Sequence, residues 1–375
     1  MKFKCLWLLL AALTLGVNVR ADLASIFTNV APVALAPRPS IILIQCHGLA
    51  RGDLSCYGQT NYQTPNLDRL AADGIRFTHY TGGADSAATT AQLLAGTISP
   101  LPDGEPNLAQ RLQQNGYHTG LIGEWSLAGR PWARGFDEFA GFLEDAEGRN
   151  YYPDHVWRCA PKSIFNETNK TFDTFIGQEP IYANLGGKKA RYLPDVLVLA
   201  MDNFVRINAP TPANHHRPLF LLVNFSAPRT ATAGADDFPV PTDAPFTDES
   251  WPPAAKNRTA LITRLDAGIG RLFEQLGKSG LTNNCVIFFT GSSAPGKFQT
   301  PRLNAFLPPE DFAAANHPAP RLPMLLWYPE KVRGGQTSDL PWRAADFPAT
   351  ALAISYSPPV TNFGGMAVLP RLPGR

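Results

Sequence analysis

Polar side chains that could take part in chemistry follow three short apolar runs of the chain. The runs are Ile41–Ile44, Leu219–Phe225 and Val286–Thr290, and the polar residues after them are His47, Arg229, Ser292 and Ser293. Short apolar runs of this kind predict buried strands of an α/β sheet. In an open α/β sheet, ligands bind beyond the carboxyl ends of the strands. We therefore expect these side chains, together with Gly48, to lie around one pocket.

Two further segments bring hydroxyl and carboxylate groups toward the same edge. Asp85 and Ser86 precede the helical pattern of Ala87–Leu94, and either side chain could cap that helix. Glu124 and Ser126 lie where a predicted strand emerges into a loop. A serine hydroxyl such as that of Ser86 is a weak nucleophile unless a base or a metal activates it. Any reaction at Ser86 therefore depends on a neighbouring group.

The elements that position these groups are predicted from periodicity. Apolar residues repeated at three and four positions predict helices with one buried face, and the earliest of them begins at Thr64 with Pro65 in its first turn. The other predicted helices are Leu108–Asn115, Leu193–Ile207 and Leu261–Leu276, and further strands are predicted at Ile75–Tyr80, Gly116–Leu127 and Pro323–Tyr328. Residues 160–190 are polar without a clear period and are interpreted as a surface excursion. Thr230–Pro253 is interpreted as a loop.

Length and composition favour one large globular domain. The chain has 375 residues, and 17% of them are charged, below the typical value of about 25%. Glycine and proline number 31 and 35, which predicts long loops but not disorder. No run of basic residues suggests a nucleic-acid partner, and no segment is long and apolar enough to predict a transmembrane helix.

The first residues have the pattern of a secretory signal. Lys2 and Lys4 precede the apolar run Leu6–Leu15, and Val19–Ala21 is a small-residue cleavage site. We predict cleavage near Ala21, a connector at residues 22–38, one domain at 39–375, and a secreted or periplasmic protein. Four cysteines would remain after cleavage, and three full disulfide pairings stay open for them. They are Cys46, Cys56, Cys159 and Cys285.

Several motifs resemble the type I sulfatases, the formylglycine-dependent members of the alkaline phosphatase superfamily. The run Thr64–Thr78, TPNLDRLAADGIRFT, is similar to the family opening almost throughout. Arg134–Phe139, Tyr151–Pro153 and Ser338–Ala353 also resemble family text, the last as a helix. The resemblance covers roughly residues 38–370. It implies an alkaline-phosphatase-like three-layer sandwich around a large, mixed, mostly parallel sheet.

The resemblance also places this chain's residues on the family's active-site positions, all of which are replaced. His47, Gly48, Ser292 and Ser293 stand at the metal-ligand positions, and Ser86 stands at the nucleophile position. The other replaced positions are Thr90, Glu124, Ser126 and Arg229. Calcium prefers six to eight oxygen ligands, chiefly carboxylates, and these four ligand positions carry no formal negative charge. We therefore expect neither calcium nor formylglycine. Asp53 belongs to the family frame but is not one of its ligands.

Other chemistry at these residues remains open but is less favoured. Cys46 and His47 could begin a soft transition-metal site with Cys285, yet a buried thiol and a polar strand end explain them more simply. Ser86 is more simply interpreted as a helix N-cap, and Ser292 and Ser293 as turn residues.

The polar and aromatic residues near the predicted pocket also have two interpretations. Arg229, Glu124 and Asp85 could bind an anion, although such residues more often pair with each other. Trp125 and Trp132 could stack on a sugar, but packing is commoner.

The sequence thus indicates a sulfatase-like protein that has lost sulfuric-ester hydrolysis. A binding role, for a sulfated or other anionic glycan or for a partner protein, is the favoured interpretation. The family's small C-terminal subdomain is expected to be absent, which would expose core surface and favour association. The alternative is a sulfate- or phosphate-ester hydrolase with a remodelled site around Ser86, His47 and Arg229. A third possibility is a structural envelope protein without a ligand.

Overall fold

The strand Ser40–His47 (β1) lies at the centre of the molecule. A computed structural model describes residues 38–97, 105–166, 171–232, 237–295, 321–357, 365, 367 and 368. β1 pairs in parallel with Leu219–Phe225 (β8) on one side and with Cys285–Ser293 (β9) on the other. Its residues from Ser40 to Cys46 are buried, because both faces of the sheet are covered. The predicted signal and connector lie outside the described residues.

The other strands extend this centre in both directions. They are β2 (Ile75–Phe77), β4 (His118–Glu124), β5 (Glu138–Phe142), β6 (His155–Asn166), β7 (Thr171–Pro180), β10 (Met324–Trp327) and β11 (Gln336–Ser338), while β3 (Tyr80–Thr81) and β12 (Trp342–Arg343) form a separate pair. The ten-stranded sheet has the order β11-β2-β10-β9-β1-β8-β4-β5-β6-β7. The run from β9 to β5 is parallel, whereas β10, β6 and β7 are antiparallel to their neighbours.

Helices cover both faces of the sheet. They are α1 (Pro65–Ala72), α2 (Ser86–Ala95), α3 (Leu108–Gln114), α4 (Asp145–Arg149), α5 (Leu193–Asn208), α6 (Pro253–Lys278) and α7 (Phe347–Ile354). One core joins α1, α5 and α6 to the sheet, and the other joins α2, α3 and α7 to it. Ile42 faces the first core and Leu43 the second, as alternation along a strand requires. The architecture is a three-layer α/β sandwich.

Several predicted elements differ from the observed ones. The prediction of a surface excursion at residues 160–190 is wrong in part, since β6 and β7 form an antiparallel pair at the edge of the sheet. Edge strands face solvent, so they need no apolar period. α6 begins at Pro253, before the predicted start at Leu261. The helix predicted at Ser338–Ala353 is confined to α7, because β12 and a short 3-10 turn precede it. Within the described ranges, no helix has the length and hydrophobicity required to cross a bilayer.

Candidate functional site

The carboxyl ends of three parallel strands meet at the candidate site. His47 is the last residue of β1, Glu124 is the last residue of β4, and Arg229 follows β8 in the next loop. Because β1 and β4 pair in parallel with β8 on its two sides, these side chains converge at the carboxyl ends of the three strands. The cluster expected from the sequence therefore contains these three residues.

The guanidinium group of Arg229 is the centre of this cluster. Its Nη2 lies 3.1 Å from Glu124 Oε2, and its Nη1 donates to Asp145 Oδ1 at 2.5 Å. Nη1 also lies 3.2 Å from His47 Nδ1, and Nη2 donates to the Asp145 carbonyl at 3.1 Å. The side chains of Glu124 and Arg229 are only 4% and 5% exposed. One buried cation is thus held by two carboxylates.

The surroundings of Arg229 leave it little freedom. Tyr151 Oη donates to the Arg229 carbonyl at 2.5 Å. A Cβ atom at Gly148 would lie 2.6 Å from Arg229 Nη2, so glycine at this position in α4 makes room for the guanidinium. Partial burial by itself would raise the pKa of Asp145, but hydrogen bonds and charges from Arg149 and Arg229 outweigh it and hold that pKa below its usual value. Asp145 is therefore ionised at neutral pH.

Asp145 was not among the residues predicted from the sequence. Asp85 was the predicted acidic neighbour of Arg229, but its carboxylate accepts from the backbone N–H of Ala88 at 2.7 Å and caps α2. Asp145 begins α4, just beyond the carboxyl end of β5. Because β5 is parallel to β4, its carboxyl end lies at the same edge as Glu124. The position of an acidic residue after this strand was the available signal.

Ser86 and Ser292 form a polar pair at the carboxyl end of β9. Their Oγ atoms lie 2.8 Å apart, and both residues are buried. The interpretation of Ser86 as the N-cap is wrong, because Asp85 has the extended backbone and bonded carboxylate of a cap. The interpretation of Ser292 and Ser293 as turn residues is also wrong, since β9 continues to Ser293.

Thr90 faces inward from α2. Its hydroxyl donates to the Ser86 carbonyl at 2.9 Å and accepts from Gln45 Nε2 at the same distance. Ser126 lies at an exposed position after β4, and Trp125 beside it is buried against Phe136. Trp125 is therefore a packing residue, with its ring N–H bonded to the Gly129 carbonyl at 2.9 Å. Of the predicted positions, Thr90 and Ser126 do not join the charged cluster.

Gly48 makes the turn that ends β1. Its backbone has φ of 79°, in the left-handed region that favours glycine. The Gly48 N–H donates to Ser293 Oγ at 3.1 Å, and its carbonyl accepts from Arg258 Nη2 at 3.3 Å. Arg258 also pairs with the fully buried Asp53, with 2.7 Å between Nη2 and Oδ2. Asp53 therefore stabilises the turn through Arg258 and is not part of the charged cluster around Arg229.

A divalent metal does not suit this arrangement of donors. The Arg229 guanidinium lies against His47 and Glu124, so a second cation there would meet a resident positive charge. Among the residues that the structure describes, no group of three or more His, Cys, Asp or Glu side chains is arranged to hold a metal ion. The soft-metal alternative also fails geometrically. Cys285 pairs with Ser40, at the opposite end of β9 from the pocket.

The Ser86 hydroxyl is hydrogen-bonded to another neutral hydroxyl, that of Ser292. In the described contacts of Ser86 no base accepts its proton, and a free serine needs one. The family's calcium therefore does not fit the residues present, because the Arg229 guanidinium lies against His47 and Glu124.

Solved structures with the same architecture identify the fold. The structure of Ps i-CgsB in complex with k-i-k-neocarrahexaose superposes with a TM-score of 0.68 at 23% identity, covering 89% of this chain and 76% of that one. BT4656 in complex with its substrate D-glucosamine-2-N,6-O-disulfate superposes with a TM-score of 0.63 at 18% identity, covering 89% and 80%. The predicted alkaline-phosphatase-like α/β fold is confirmed.

The family follows from the sequence itself. The sulfatase family model matches residues 39–355, and the chain therefore belongs to the sulfatase family, as the motifs indicated. Human N-acetylgalactosamine-6-sulfatase is 25% identical over 90% of this chain. Bovine arylsulfatase A is 29% identical over 71% of it. The chain spans 66% and 54% of the length of these two relatives.

Proposed function

We propose that this sulfatase-family protein does not hydrolyse sulfate esters and instead has a binding role. The observation that carries the proposal is the buried Arg229, paired with Glu124 and Asp145 beside His47. Arg229 lies beside His47, one of the positions at which the family resemblance implies a metal ligand, with 3.2 Å between Arg229 Nη1 and His47 Nδ1. We accordingly propose that neither calcium nor formylglycine is present.

Two classes of ligand are consistent with this role. An anionic glycan is supported by the structural neighbours, whose complexes hold a carrahexaose and a glucosamine disulfate. A partner protein is the other class. Two carboxylates contact the Arg229 guanidinium, and their negative charges weaken its electrostatic attraction for a sulfate group. We therefore expect a ligand to contact the surface around the pocket more than Arg229 itself. We also propose that the protein is exported and acts outside the cytoplasm.

A hydrolase with a remodelled site is the second candidate. The observation that favours it is the close pair of hydroxyls at Ser86 and Ser292, which are 2.8 Å apart within the pocket. Such a hydroxyl pair could pass a proton only if a base lay next to it. His47, the basic residue of this alternative, lies 3.2 Å from Arg229 Nη1, measured to its Nδ1. This geometry favours the binding role.

The test combines metal content, mass and turnover on one purified sample. We expect less than about 0.1 equivalent of bound metal, unmodified Ser86, and no turnover of an aryl sulfate or aryl phosphate above the blank, since metal-dependent ester chemistry requires the ion. Binding of sulfated and desulfated oligosaccharides, measured by calorimetry, separates a glycan ligand from a protein one. A sulfated oligosaccharide that binds while its desulfated form does not identifies an anionic glycan.

Matched variants make the result decisive. Ser86→Ala removes the candidate nucleophile, and Ser126→Ala removes an exposed serine near the same edge. Stoichiometric metal with turnover that Ser86→Ala abolishes and Ser126→Ala preserves would overturn the proposal. Turnover that both variants retain would point to a contaminating enzyme and leave the protein without activity of its own.

A further inference from the structure

The loop between β7 and α5 carries a group of basic residues. Lys188, Lys189 and Arg191 lie in this loop, and all three residues are exposed. Within the described ranges, no acidic side chain forms an ion pair with any of them. Arg158 and Arg271, by contrast, are paired with carboxylates. We call residues 184–191 the basic loop, since its positive charge is not neutralised by the described part of the chain.

Asn184 holds the basic loop in one conformation. Its side chain is buried, and its Nδ2 donates to the carbonyls of Pro153 at 2.7 Å and Arg191 at 2.8 Å. Its Oδ1 accepts from the backbone N–H of Ala190 at 3.0 Å and from that of Arg191 at 2.7 Å. An asparagine amide has two donors and two acceptor lone pairs, so all of them are used. The backbone that carries Lys189 and Arg191 is therefore fixed before a ligand binds, which lowers the entropic cost of binding.

A recess of about 150 Å³ lies beside the basic loop. Lys189 and Arg191 line one part of it, and Tyr152, Tyr192 and Pro241 line another. Lys189 Nζ lies 5.8 Å from the centroid of the Tyr152 ring, so a cation and an aromatic face are neighbours here. Pockets that enclose a whole small-molecule ligand begin at about 300 Å³. The recess therefore has room for one substituent of a larger ligand.

The charges around the recess favour an anionic substituent. Asp195 and Arg264 also line it, and the Arg264 guanidinium donates to the two carboxylate oxygens of Asp195 at 2.6 Å each. This pair is neutral as a unit, so the positive charges of Lys189 and Arg191 are left uncompensated among the lining residues. Arginine binds a sulfate or carboxylate group through two parallel hydrogen bonds, and lysine binds it as a point charge.

The recess is distinct from the charged cluster around Arg229, although the two are connected. Tyr151 donates its O–H to the Arg229 carbonyl, and its ring stacks on that of Tyr192 with 5.7 Å between the centroids. Tyr192 in turn lines the recess. None of the lining residues stands at a position that the resemblance assigns to the family's active site. The recess is therefore a separate site, one pair of stacked rings away from Arg229.

We propose that the recess and the basic loop form an anion subsite for a sugar chain. Lys189 and Arg191 hold one sulfate or carboxylate group of the chain, and the Tyr152 ring contacts the sugar that carries this group. The subsite rests on the proposed function, in its anionic-glycan form, and gives that ligand a place away from Arg229. This place agrees with the expectation that a ligand contacts the surface around the charged cluster more than Arg229 itself.

A sugar chain suits this subsite better than an acidic peptide does. A bound extended peptide gains affinity from main-chain hydrogen bonds. The backbone N–H groups of Ala190 and Arg191 are already bonded to Asn184, so a peptide finds no free donor at these two positions. The Tyr152 ring offers an apolar face with a polar tip, which matches a sugar ring.

The experiment measures by calorimetry the binding of a heparin-derived hexasaccharide, which carries both sulfate and carboxylate groups. We expect a Kd at or below about 100 μM for the wild type. Lys189→Ala combined with Arg191→Ala should raise the Kd at least about 10-fold, because two charge-assisted contacts are lost. Lys331→Ala combined with Arg333→Ala is the matched control, since these exposed residues have the same spacing after β10 and the same charge. It should change the Kd by less than about 2-fold.

Two further comparisons test the chemistry of the subsite. Tyr152→Ala should raise the Kd about 5-fold, whereas Tyr152→Phe keeps the ring and should bind like the wild type. The desulfated hexasaccharide retains its carboxylates and decides between the two anions. It binds like the sulfated form if the subsite holds a carboxylate, and at least about 10-fold more weakly if it holds a sulfate. Circular dichroism checks that every variant is folded.

The results that overturn the subsite differ from those that overturn the proposed function. A wild type that does not bind the hexasaccharide overturns the subsite, as does equal weakening by both double variants, which would show only a general attraction to positive charge. Binding that the Lys189 and Arg191 double variant leaves unchanged overturns the subsite and leaves a glycan-binding function intact. A hexaglutamate peptide that binds more tightly through the same two residues overturns the assignment of a sugar chain. Turnover that Ser86→Ala abolishes overturns the proposed function and not the subsite, whose Kd is measured separately.

Discussion

At the scale of single residues, Arg229 and Glu124 form a buried ion pair, with 3.1 Å between Arg229 Nη2 and Glu124 Oε2. A buried carboxylate without a partner is strongly unfavourable. Glu124 is therefore compatible with the fold because Arg229 neutralises it.

The ion pair predicts a clear difference between its two carboxylates. Glu124→Gln should lower the free energy of unfolding by about 3 kcal/mol, because it leaves the buried guanidinium without its buried partner. Asp145→Asn is the matched control and should cost less than about 1 kcal/mol, since Asp145 is 59% exposed and screened by solvent. Urea denaturation measures both values. Equal losses for the two variants would contradict a special role for the Glu124 pair.

At the scale of elements, α1 depends on a residue from a distant helix. The Asp266 carboxylate of α6 accepts from the backbone N–H of Leu67 at 2.8 Å and from that of Asn66 at 3.2 Å. These are first-turn donors of α1, which the helix cannot satisfy itself. Thr64, the residue before the helix, makes no side-chain cap. The start of α1 and its packing against α6 are thus one feature.

This cap predicts how α1 responds to mutation. Asp266→Ala should cost about 2 kcal/mol of stability, because it removes a cap and leaves two N–H groups unpaired in a buried setting. Asp85→Ala is the comparison and should cost about 1 kcal/mol, since Asp85 caps α2 through one exposed bond. Thermal and urea unfolding of both variants give the two values. A smaller loss at Asp266 than at Asp85 would show that α1 is held by packing alone.

At the scale of the whole molecule, stability comes from two cores and not from covalent links. The four cysteines of the described residues are free, so none of the pairings left open by the sequence is formed. Cys46 and Cys285 are fully enclosed, and burial raises the pKa of each thiol far above its usual value. Burial likewise raises the pKa of Cys56 to about 12. These thiols are therefore unreactive while the protein is folded.

A thiol titration tests this account. The native protein should react slowly with a thiol reagent, and the unfolded protein should react fully at Cys46, Cys56, Cys159 and Cys285, with Cys5 in addition if residues 1–21 are retained. A reductant should not change the melting temperature, because no disulfide would be lost. A fall in melting temperature on reduction would show that a disulfide contributes to stability.

The sequence by itself determined the helices and strands that depend on local residue patterns. The β-branched run of β1, the spacing of apolar residues in α1 and α5, and the family motifs were enough to predict the fold and the pocket's edge. Residues 155–180 were less informative because an exposed antiparallel edge needs no apolar period.

Only the tertiary structure decided which side chains meet. Arg229 contacts His47 across 182 positions of sequence and Asp145 across 84, and Asp266 caps α1 across 199. Such contacts depend on strand order and helix packing, which no local pattern encodes. The sequence therefore determined most of the groups that lie at the carboxyl ends of the strands, but not Asp145. The tertiary structure decided that one of them, Arg229, is neutralised by two others, because a charge buried there must be paired.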